Sequence, residues 1–346
     1  ELSAQLEDAV EAYARGEKWD ALRALIERKA SDLISQGRAL TLKTWIGRMP
    51  RECVVQSPWI EYWLATALVP EDAMAAVQEF DRAQVLFAKT GDSVGRVLAL
   101  CGTMEAIFFA TSNHALMDAW TPLLKDAVSH MQAFPTKAVE LRAYAAMLIA
   151  MIFRTPEANE LERTAQRVVQ LLDSDAPANQ RLMAATFLIV YCTFTGKFDL
   201  AAVVVLKGNV IASLEGITPH NRGLWSVWRC YLYQIVFELD KGIAAAREAE
   251  EIGEKHGFVQ IVFFAHYFRS GIEAKAGDLA AAERSVARAV PLVDPAHKLQ
   301  AALGNVCSAW LGIYANRARL ALEHGRLAMV VVREIGLPSH HIHWGM

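Results

Sequence analysis

Residues 276–283 read Ala-Gly-Asp-Leu-Ala-Ala-Ala-Glu, a short turn followed at once by a run of mostly strong helix formers. Related turns occur before and after it, and they make Gly196, Leu239, Gly277 and Asn316 equivalent points. The spacings between these points are 43, 38 and 39 residues. A period in this range is typical of arrays of helical hairpins, in which each unit packs mainly on its neighbours.

Small side chains recur at fixed distances after these turns. Three of the four residues that lie twelve positions after a turn are Gly or Ala, and the exception is Glu251. Two antiparallel helices approach closely only where one of them presents little bulk, so the pattern predicts helix contacts at these positions. All four residues that lie five positions after a turn are alanines: Ala201, Ala244, Ala282 and Ala321.

The rest of the chain is also predicted to be helical. Gly16 is followed five residues later by Ala21, as in the later units, and residues 80–102 read as a helix, a Gly-Asp turn and a second helix. The period is blurred between about residues 50 and 180. Apolar residues lie at helical spacing almost throughout, and alternating strand patterns are essentially missing. We therefore expect an all-α fold, a right-handed superhelical solenoid of antiparallel hairpins that spans residues 1–346 as one domain.

The turn motif and the amino-terminal segments resemble the tetratricopeptide repeat, and in particular the long-helix superhelix of MalT-like bacterial transcription regulators of the signal-transduction ATPase type. The amino-terminal segments that carry this resemblance are residues 15–22, 33–38, 45–50 and 57–60. The resemblance implies a non-catalytic regulatory domain that binds a small effector or a regulatory protein. In that family, flanking domains bind nucleotide and DNA. The sequence contains neither a phosphate-binding Gly-x-x-x-x-Gly-Lys-[Ser/Thr] loop nor a recognisable basic recognition helix, so any regulatory role belongs to a longer parent protein.

Composition narrows the classes of function. The chain has 346 residues, of which 53% are hydrophobic and 21% charged, and its net charge is −3. Because no cluster of Lys and Arg occurs, we expect no direct contact with nucleic acid. The longest apolar runs, such as residues 143–153, are shorter than a bilayer span, so no membrane span is expected. We expect a cytoplasmic protein without cofactor or metal, and the missing initiator Met suggests a fragment of a longer protein.

The candidate binding residues follow from counting back along each first helix to the face that a solenoid turns inward. A concave wall with aromatic rings and occasional cations suits a sugar, an aromatic ligand or an extended peptide. The same residues also suit ordinary packing between neighbouring helices. The candidates are Thr186, Arg229, Tyr233, Phe264, Tyr267 and Lys275.

Two functions from different classes follow from this wall. A sensor of a small effector predicts a discrete pocket near Arg229, Tyr233 and Tyr267. The alternative, a scaffold that binds a peptide or a folded protein, predicts an open groove and an exposed apolar patch. A third class, an enzyme, would require distant acids and histidines such as Glu105, His114 and His266 to converge, and no catalytic motif in the sequence supports it.

Other features of the sequence are expected to have ordinary structural roles. Trp228 is predicted to pack in the core, and the acidic run of residues 247–255 to form a solvated helix face. The five cysteines indicate reduced core residues. His340 and His343 could share a helix face as metal ligands do, but a frayed tail is the expectation.

Residues 327–335 are strongly apolar, which predicts either further repeats or a homodimer through this last helix.

Overall fold

The structure is a computed structural model that describes residues 2–110, 113–155, 159–294 and 297–335. Within these ranges the chain forms α-helices and short 3₁₀ turns and no strand. The predicted all-α fold is therefore confirmed for the described residues. The chain packs as two compact units, Glu1–Ala110 with Ala119–Pro135, and Thr111–Asp118 with Thr136–Met346. Whether they continue one repeat array, as the sequence predicts, stays a prediction.

The first unit consists of eight helices among its described residues, and the last of them begins two residues outside the unit. They are α1 (Leu2–Arg15), α2 (Trp19–Ser35), α3 (Ala39–Ile46), α4 (Arg51–Val55), α5 (Pro58–Leu68), α6 (Ala73–Thr90), α7 (Ser93–Ala110) and α8 (Met117–Ser129). The hairpin of α6 and α7 turns at Gly91, as the Gly-Asp motif predicted.

Close packing of α6 on α7 depends on two glycines of α7. Gly95 lies against the ring of Phe87, and Gly102, two turns later, lies against the ring of Phe80. A Cβ atom at either glycine would overlap the ring, so only a residue without a side chain allows this separation of the helices.

Helix α7 is also the one described helix that is long and apolar enough to cross a bilayer. Its mean hydropathy is 1.4, and 67% of it is buried inside the protein. The apolar run of residues 143–153, from which no membrane span was expected, is a different segment of the chain. Core helices of folded domains pass the same test of length and composition.

The second unit consists of ten further α-helices among its described residues. They are α9 (Lys137–Arg154), α10 (Asn159–Leu171), α11 (Ala178–Thr195), α12 (Phe198–Ala212), α13 (Pro219–Ile235), α14 (Leu239–His256), α15 (Val259–Lys275), α16 (Leu279–Ala289), α17 (Lys298–Tyr314) and α18 (Ala318–Glu334). Each odd-numbered helix pairs with the helix that follows it, and the odd-numbered helices also pack on one another in chain order. We call α9, α11, α13, α15 and α17 the first layer, and the even-numbered helices the second layer.

The repeat turns of this unit share one backbone geometry. The left-handed residues are Gly196, Phe237, Gly277 and Asn316, with φ between 56° and 84°. At each turn the next residue donates its N–H to the carbonyl oxygen five residues earlier, at 2.7–3.0 Å. This is the Schellman ending of a helix, which satisfies carbonyls that the helix itself leaves unpaired.

These turns correct the predicted register of the third hairpin. The left-handed residue there is Phe237 and not Leu239, so the spacings become 41, 40 and 39 residues. The residues five and twelve positions later are Gly242 and Ala249, and both are buried. The exception at Glu251 therefore disappears. The sequence concealed this register because a bulky residue such as Phe rarely adopts a positive φ.

The amino-terminal register shifts in the same way. Glu17, and not Gly16, is the left-handed residue, with φ 52°. The residue five positions later is then Leu22, which is fully buried, whereas Ala21 is only partly buried. The contact between α1 and α2 thus uses a large side chain where the later hairpins use a small one.

Candidate functional site

The predicted residue of α11, Thr186, is buried. Its hydroxyl donates to the carbonyl oxygen of Leu182 at 2.9 Å, which is an ordinary bond within the helix. Every residue from 184 to 192 is buried, so this stretch of α11 is covered on all sides. Thr186 therefore belongs to the core and does not face an open groove.

Arg229 was predicted on the inner face of α13, but its head group lies between α13 and the second layer. Its guanidinium donates to Asn209 of α12 at 3.2 Å and to Glu248 of α14 at 2.5 Å. The reason is the register at Phe237. A shift of two residues rotates the predicted face by about 200°.

Tyr233 follows the same correction. Its Cβ atom lies near Gly242 of α14, and the ammonium of Lys241 lies 5.8 Å from the centre of its ring. Tyr233 thus packs on the second layer, one turn along α13 from Arg229. The predicted pocket near Arg229, Tyr233 and Tyr267 is not formed by these three residues together.

The register of α15 was predicted correctly from Gly277, and its residues form a different site. We define the polar centre as Gln234 of α13, Tyr267, Gly271 and Lys275 of α15, and Trp310 of α17. The ring centroids of Tyr267 and Trp310 lie 5.8 Å apart at an interplanar angle of 27°. A Cβ atom at Gly271 would overlap the amide of Gln234 and approach Trp310 to 2.9 Å. Three consecutive first-layer helices therefore meet at Gly271.

Several polar atoms of this centre have no hydrogen-bond partner among the described residues. Both amide atoms of Gln234 and the hydroxyl of Tyr267 are buried and unpaired, and each of these two side chains is 1% exposed. Burial raises the pKa of Tyr267 well above its usual value, so the phenol stays protonated. Buried polar atoms are normally bonded, and an unpaired one costs about 1–3 kcal/mol. These atoms are suited to hold a polar group that is not part of the protein.

Lys275 lies at the edge of the centre. Its ammonium donates to the backbone oxygen of Gln234 at 3.0 Å and lies 4.8 Å from the centre of the Phe237 ring. Partial burial lowers the pKa of Lys275. Lys275 and Trp310 are the members that keep solvent contact, so access to the centre is on their side.

Phe264 is half-buried one turn before Phe268. Its ring stacks on Phe268 at 6.0 Å and meets Tyr267 edge-on at 6.4 Å. The ring therefore supports the aromatic wall behind the polar centre. The predicted residues that the structure brings together are thus Phe264, Tyr267 and Lys275.

The sequence missed Gln234 and Trp310. Counting from Leu239 selected Arg229 and Tyr233 of α13 and did not include Gln234, and Trp310 lies in a hairpin that received no site prediction. The correct anchor at Phe237 makes Tyr231, rather than Tyr233, one of the ring residues near this centre. Tyr231 stands 4.7 Å from Phe268, and its charge would raise the pKa of Tyr267.

The acidic run of α14 is more than a solvated face. Glu250 is mostly buried and bonds Arg288 at 2.7 Å and Arg269 at 3.2 Å. Arg269 also bonds Glu273 at 2.7 Å, and Ser285 donates to Glu273 at 2.6 Å. This network joins α14, α15 and α16, so the predicted solvated interpretation is wrong for Glu250.

The histidines named for an enzyme have separate surroundings. His114 stacks on Phe153 at 4.5 Å, and burial together with the charge of Arg154 lowers its pKa to about 4. His266 lies 3.5 Å from Glu250, and burial lowers its pKa. His340 and His343 lie outside the described residues. Over the part of the chain that the structure describes, no group of His, Cys, Asp and Glu could hold a metal.

Trp228 is buried and contacts Tyr231 and Phe268, which confirms its predicted core role. None of the five cysteines forms a disulfide, and four of them are buried, as the sequence indicated. No known protein-family model matches the sequence, and a search of characterised proteins finds no significant relative.

Proposed function

We propose that this chain is the effector-sensing part of a cytoplasmic bacterial transcription regulator, a tetratricopeptide-like right-handed solenoid that binds a small polar molecule at the polar centre and performs no chemistry. The repeat period of about 40 residues, the Schellman turns and the stacked first layer support the solenoid. The regulatory role rests on the resemblance to MalT-like proteins.

The observation that carries the proposal is the unpaired polar set of Gln234 and Tyr267. Buried polar atoms of this kind need a partner, either an ordered water or a ligand, because each unpaired atom costs about 1–3 kcal/mol. A ligand that pairs with them removes this cost and is bound more tightly in return. A binding site with this property couples occupancy to the stability of three successive hairpins.

Burial of the first layer favours a sensor over a peptide-binding groove. Residues 145–153 of α9 and 184–192 of α11 are buried without interruption. An extended peptide in an open groove needs one exposed face along these helices. An enclosed site for a small molecule does not need such an exposed face.

We expect Tyr267→Phe to separate binding from folding. The change removes only the unpaired hydroxyl, so the unliganded protein should become more stable by about 1 kcal/mol, the lower end of the cost of an unpaired buried group. A ligand at one hundred times its Kd raises the stability of the wild type by about 2.7 kcal/mol, and the variant keeps less than half of this gain. Thermal unfolding against sugars, amino acids, aromatic acids and nucleotides measures both effects. A destabilised variant and no ligand response would mean that the hydroxyl serves the fold alone.

A second candidate function, protein interaction, is favoured by the outer face of α12. This face exposes Val203, Leu206 and Val210, which lie at helical spacing, and Leu206 is 70% exposed. In α14 the residues equivalent to Leu206 and Val210 are Arg247 and Glu251. Lys207, the one charged residue from 200 to 213, is bonded to Asp173 at 2.6 Å. The outer face of α12 is therefore suited to pack against an uncharged, apolar surface of a partner. The same face on a second copy of this chain is such a surface.

We expect Leu206→Glu to dissociate such a homodimer. An antiparallel pair places Leu206 of both copies at the centre, where two carboxylates would lie close together without solvation. Sedimentation equilibrium should show at least a tenfold weaker association. Val330→Glu in α18, at a similarly exposed position, is the matched control. Loss of the dimer in the control alone would favour the predicted α18 interface instead, and a monomeric wild type would contradict both.

A further inference from the structure

The amide of Gln234 determines which chemical class of ligand fits the polar centre. A glutamine side chain offers one acceptor and two N–H donors in one plane. Both of its polar atoms are unpaired here. The complementary ligand edge therefore has a donor and an acceptor side by side, as in the bidentate pairing of Gln with adenine.

The position of this amide is constrained by its packing against α15. Gly271 has no side chain, and the amide of Gln234 occupies the space that a Cβ atom would take. The backbone oxygen of the same residue accepts a hydrogen bond from Lys275 at 3.0 Å. A fixed amide recognises a planar partner at a lower entropic cost than a mobile one.

The walls of the centre are aromatic. Tyr267 and Trp310 stack on one another, and Tyr267 contacts Phe263 and Phe268 as well. Flat heterocycles stack on such rings with about 1–3 kcal/mol per base. The Tyr267 hydroxyl adds one more donor or acceptor beside the rings, and Lys275 adds a positive charge on the solvent side.

We propose that the polar centre binds a nucleobase-like heterocycle, one with an N–H donor next to a nitrogen or oxygen acceptor. The inference rests on the proposed effector-binding function and names its ligand class. The heterocycle pairs with the Gln234 amide, stacks against the solvent-exposed side of the Trp310 ring, and directs any anionic substituent toward Lys275. Sugars lack the aromatic plane, and aromatic acids lack the paired donor and acceptor.

The test compares ligands that differ in one group. Adenine, purine, uracil, nicotinamide, benzoate and glucose are titrated into the full chain, and the affinity is measured by calorimetry. Adenine and purine are both used as their 9-methyl derivatives, so that no ring N–H remains. Adenine then still carries an exocyclic N–H donor beside a ring acceptor, whereas purine has no N–H donor. We expect at least one of adenine, uracil and nicotinamide to bind, and adenine to bind at least tenfold more tightly than purine if it is the ligand.

Protein variants provide the second arm of the test. Gln234→Met keeps the length of the side chain and removes both hydrogen-bonding groups, so it should weaken binding at least tenfold without lowering the melting temperature. Gln84→Met is the matched control, because Gln84 is a buried glutamine of the first unit whose amide donates to Asp81 at 3.1 Å. This control should leave binding unchanged.

The outcomes separate the two proposals. Binding of glucose or benzoate that depends on Tyr267, without binding of any donor–acceptor heterocycle, overturns the ligand class and leaves the sensor function intact. Equal affinity for adenine and purine, with Gln234→Met as tight as wild type, also overturns the ligand class. No binding by any compound overturns both.

Discussion

Gly208→Ala, which adds a single methyl group, should destabilise the second unit by about 2 kcal/mol. Gly208 lies in α12, and a Cβ atom there would lie at or within 3.0 Å of three carbons of the Trp225 ring. That ring is 1% exposed, and its N–H donates to Asn209 at 3.0 Å, so it has little freedom to move. Overpacking of this kind costs about 1–3 kcal/mol, and the clash exceeds the gain of up to about 1 kcal/mol that Ala brings to a helix.

Gly325→Ala is the control for this prediction. Gly325 also lies inside a second-layer helix, α18, but nothing stands within 4 Å of its added Cβ. The higher helix propensity of Ala should therefore leave the protein as stable or up to about 1 kcal/mol more stable. The free energies of unfolding of the two variants, measured by urea denaturation, test this difference. Equal stability of the two would show that α12 and α13 adjust to the methyl group.

Stability of the first unit should fall as the pH rises from about 5 to 8, because of a buried carboxyl pair. Glu61 of α5 is fully buried, and its pKa is raised to about 7, first by burial and then by the neighbouring carboxyl of Glu79. Burial by itself raises the pKa of Glu79, but the neighbouring Glu61 carboxyl, the hydrogen bond from Arg51 and the charges of Arg51 and Arg82 outweigh burial and lower this pKa. The proton of the pair therefore resides mainly on Glu61.

The direction of this pH dependence follows from the number of protons that the folded and unfolded states bind. Between pH 4.5 and 7 the folded protein keeps the Glu61 proton while the unfolded chain releases it, so unfolding becomes more favourable as the pH rises. A rise of pKa by about 2.5 units corresponds to about 3 kcal/mol at pH above 7, as an upper value, because the two carboxyls titrate as a pair. The charged groups around Glu61 are Glu79 and Arg82 of α6 and Arg51 of α4.

Glu61→Gln should remove most of this pH dependence. The amide is neutral at every pH and can still donate to Glu79, so the variant should be more stable than wild type at pH 8 and similar at pH 5. Melting curves across this range measure the difference. Glu71→Gln provides the control, since Glu71 is an exposed carboxylate of the same unit that pairs with Lys43. Parallel pH profiles of wild type and Glu61→Gln would contradict the shared proton.

Much of the second layer was predictable because its constraint is local. The small residues that follow each turn, such as Ala201, Ala282 and Gly208, are buried where the spacing placed them. Their role depends only on distance from a turn along one helix. By contrast, of the site residues predicted in α11, α13 and α15, only those of α15 belong to the polar centre or its aromatic wall.

The sequence by itself determined that this protein is helical, with hairpins of about 40 residues whose close contacts fall on small side chains, since these features depend on helix propensity and on spacing along the chain. Only the tertiary structure decided which side of α13 faces the core, because Phe237 adopts a left-handed conformation that its residue type conceals. Only the tertiary structure also decided that Gln234, Gly271 and Trp310 contact one another. These residues lie about 40 positions apart, and their contact depends on how three helices stack, which spacing along one helix does not encode.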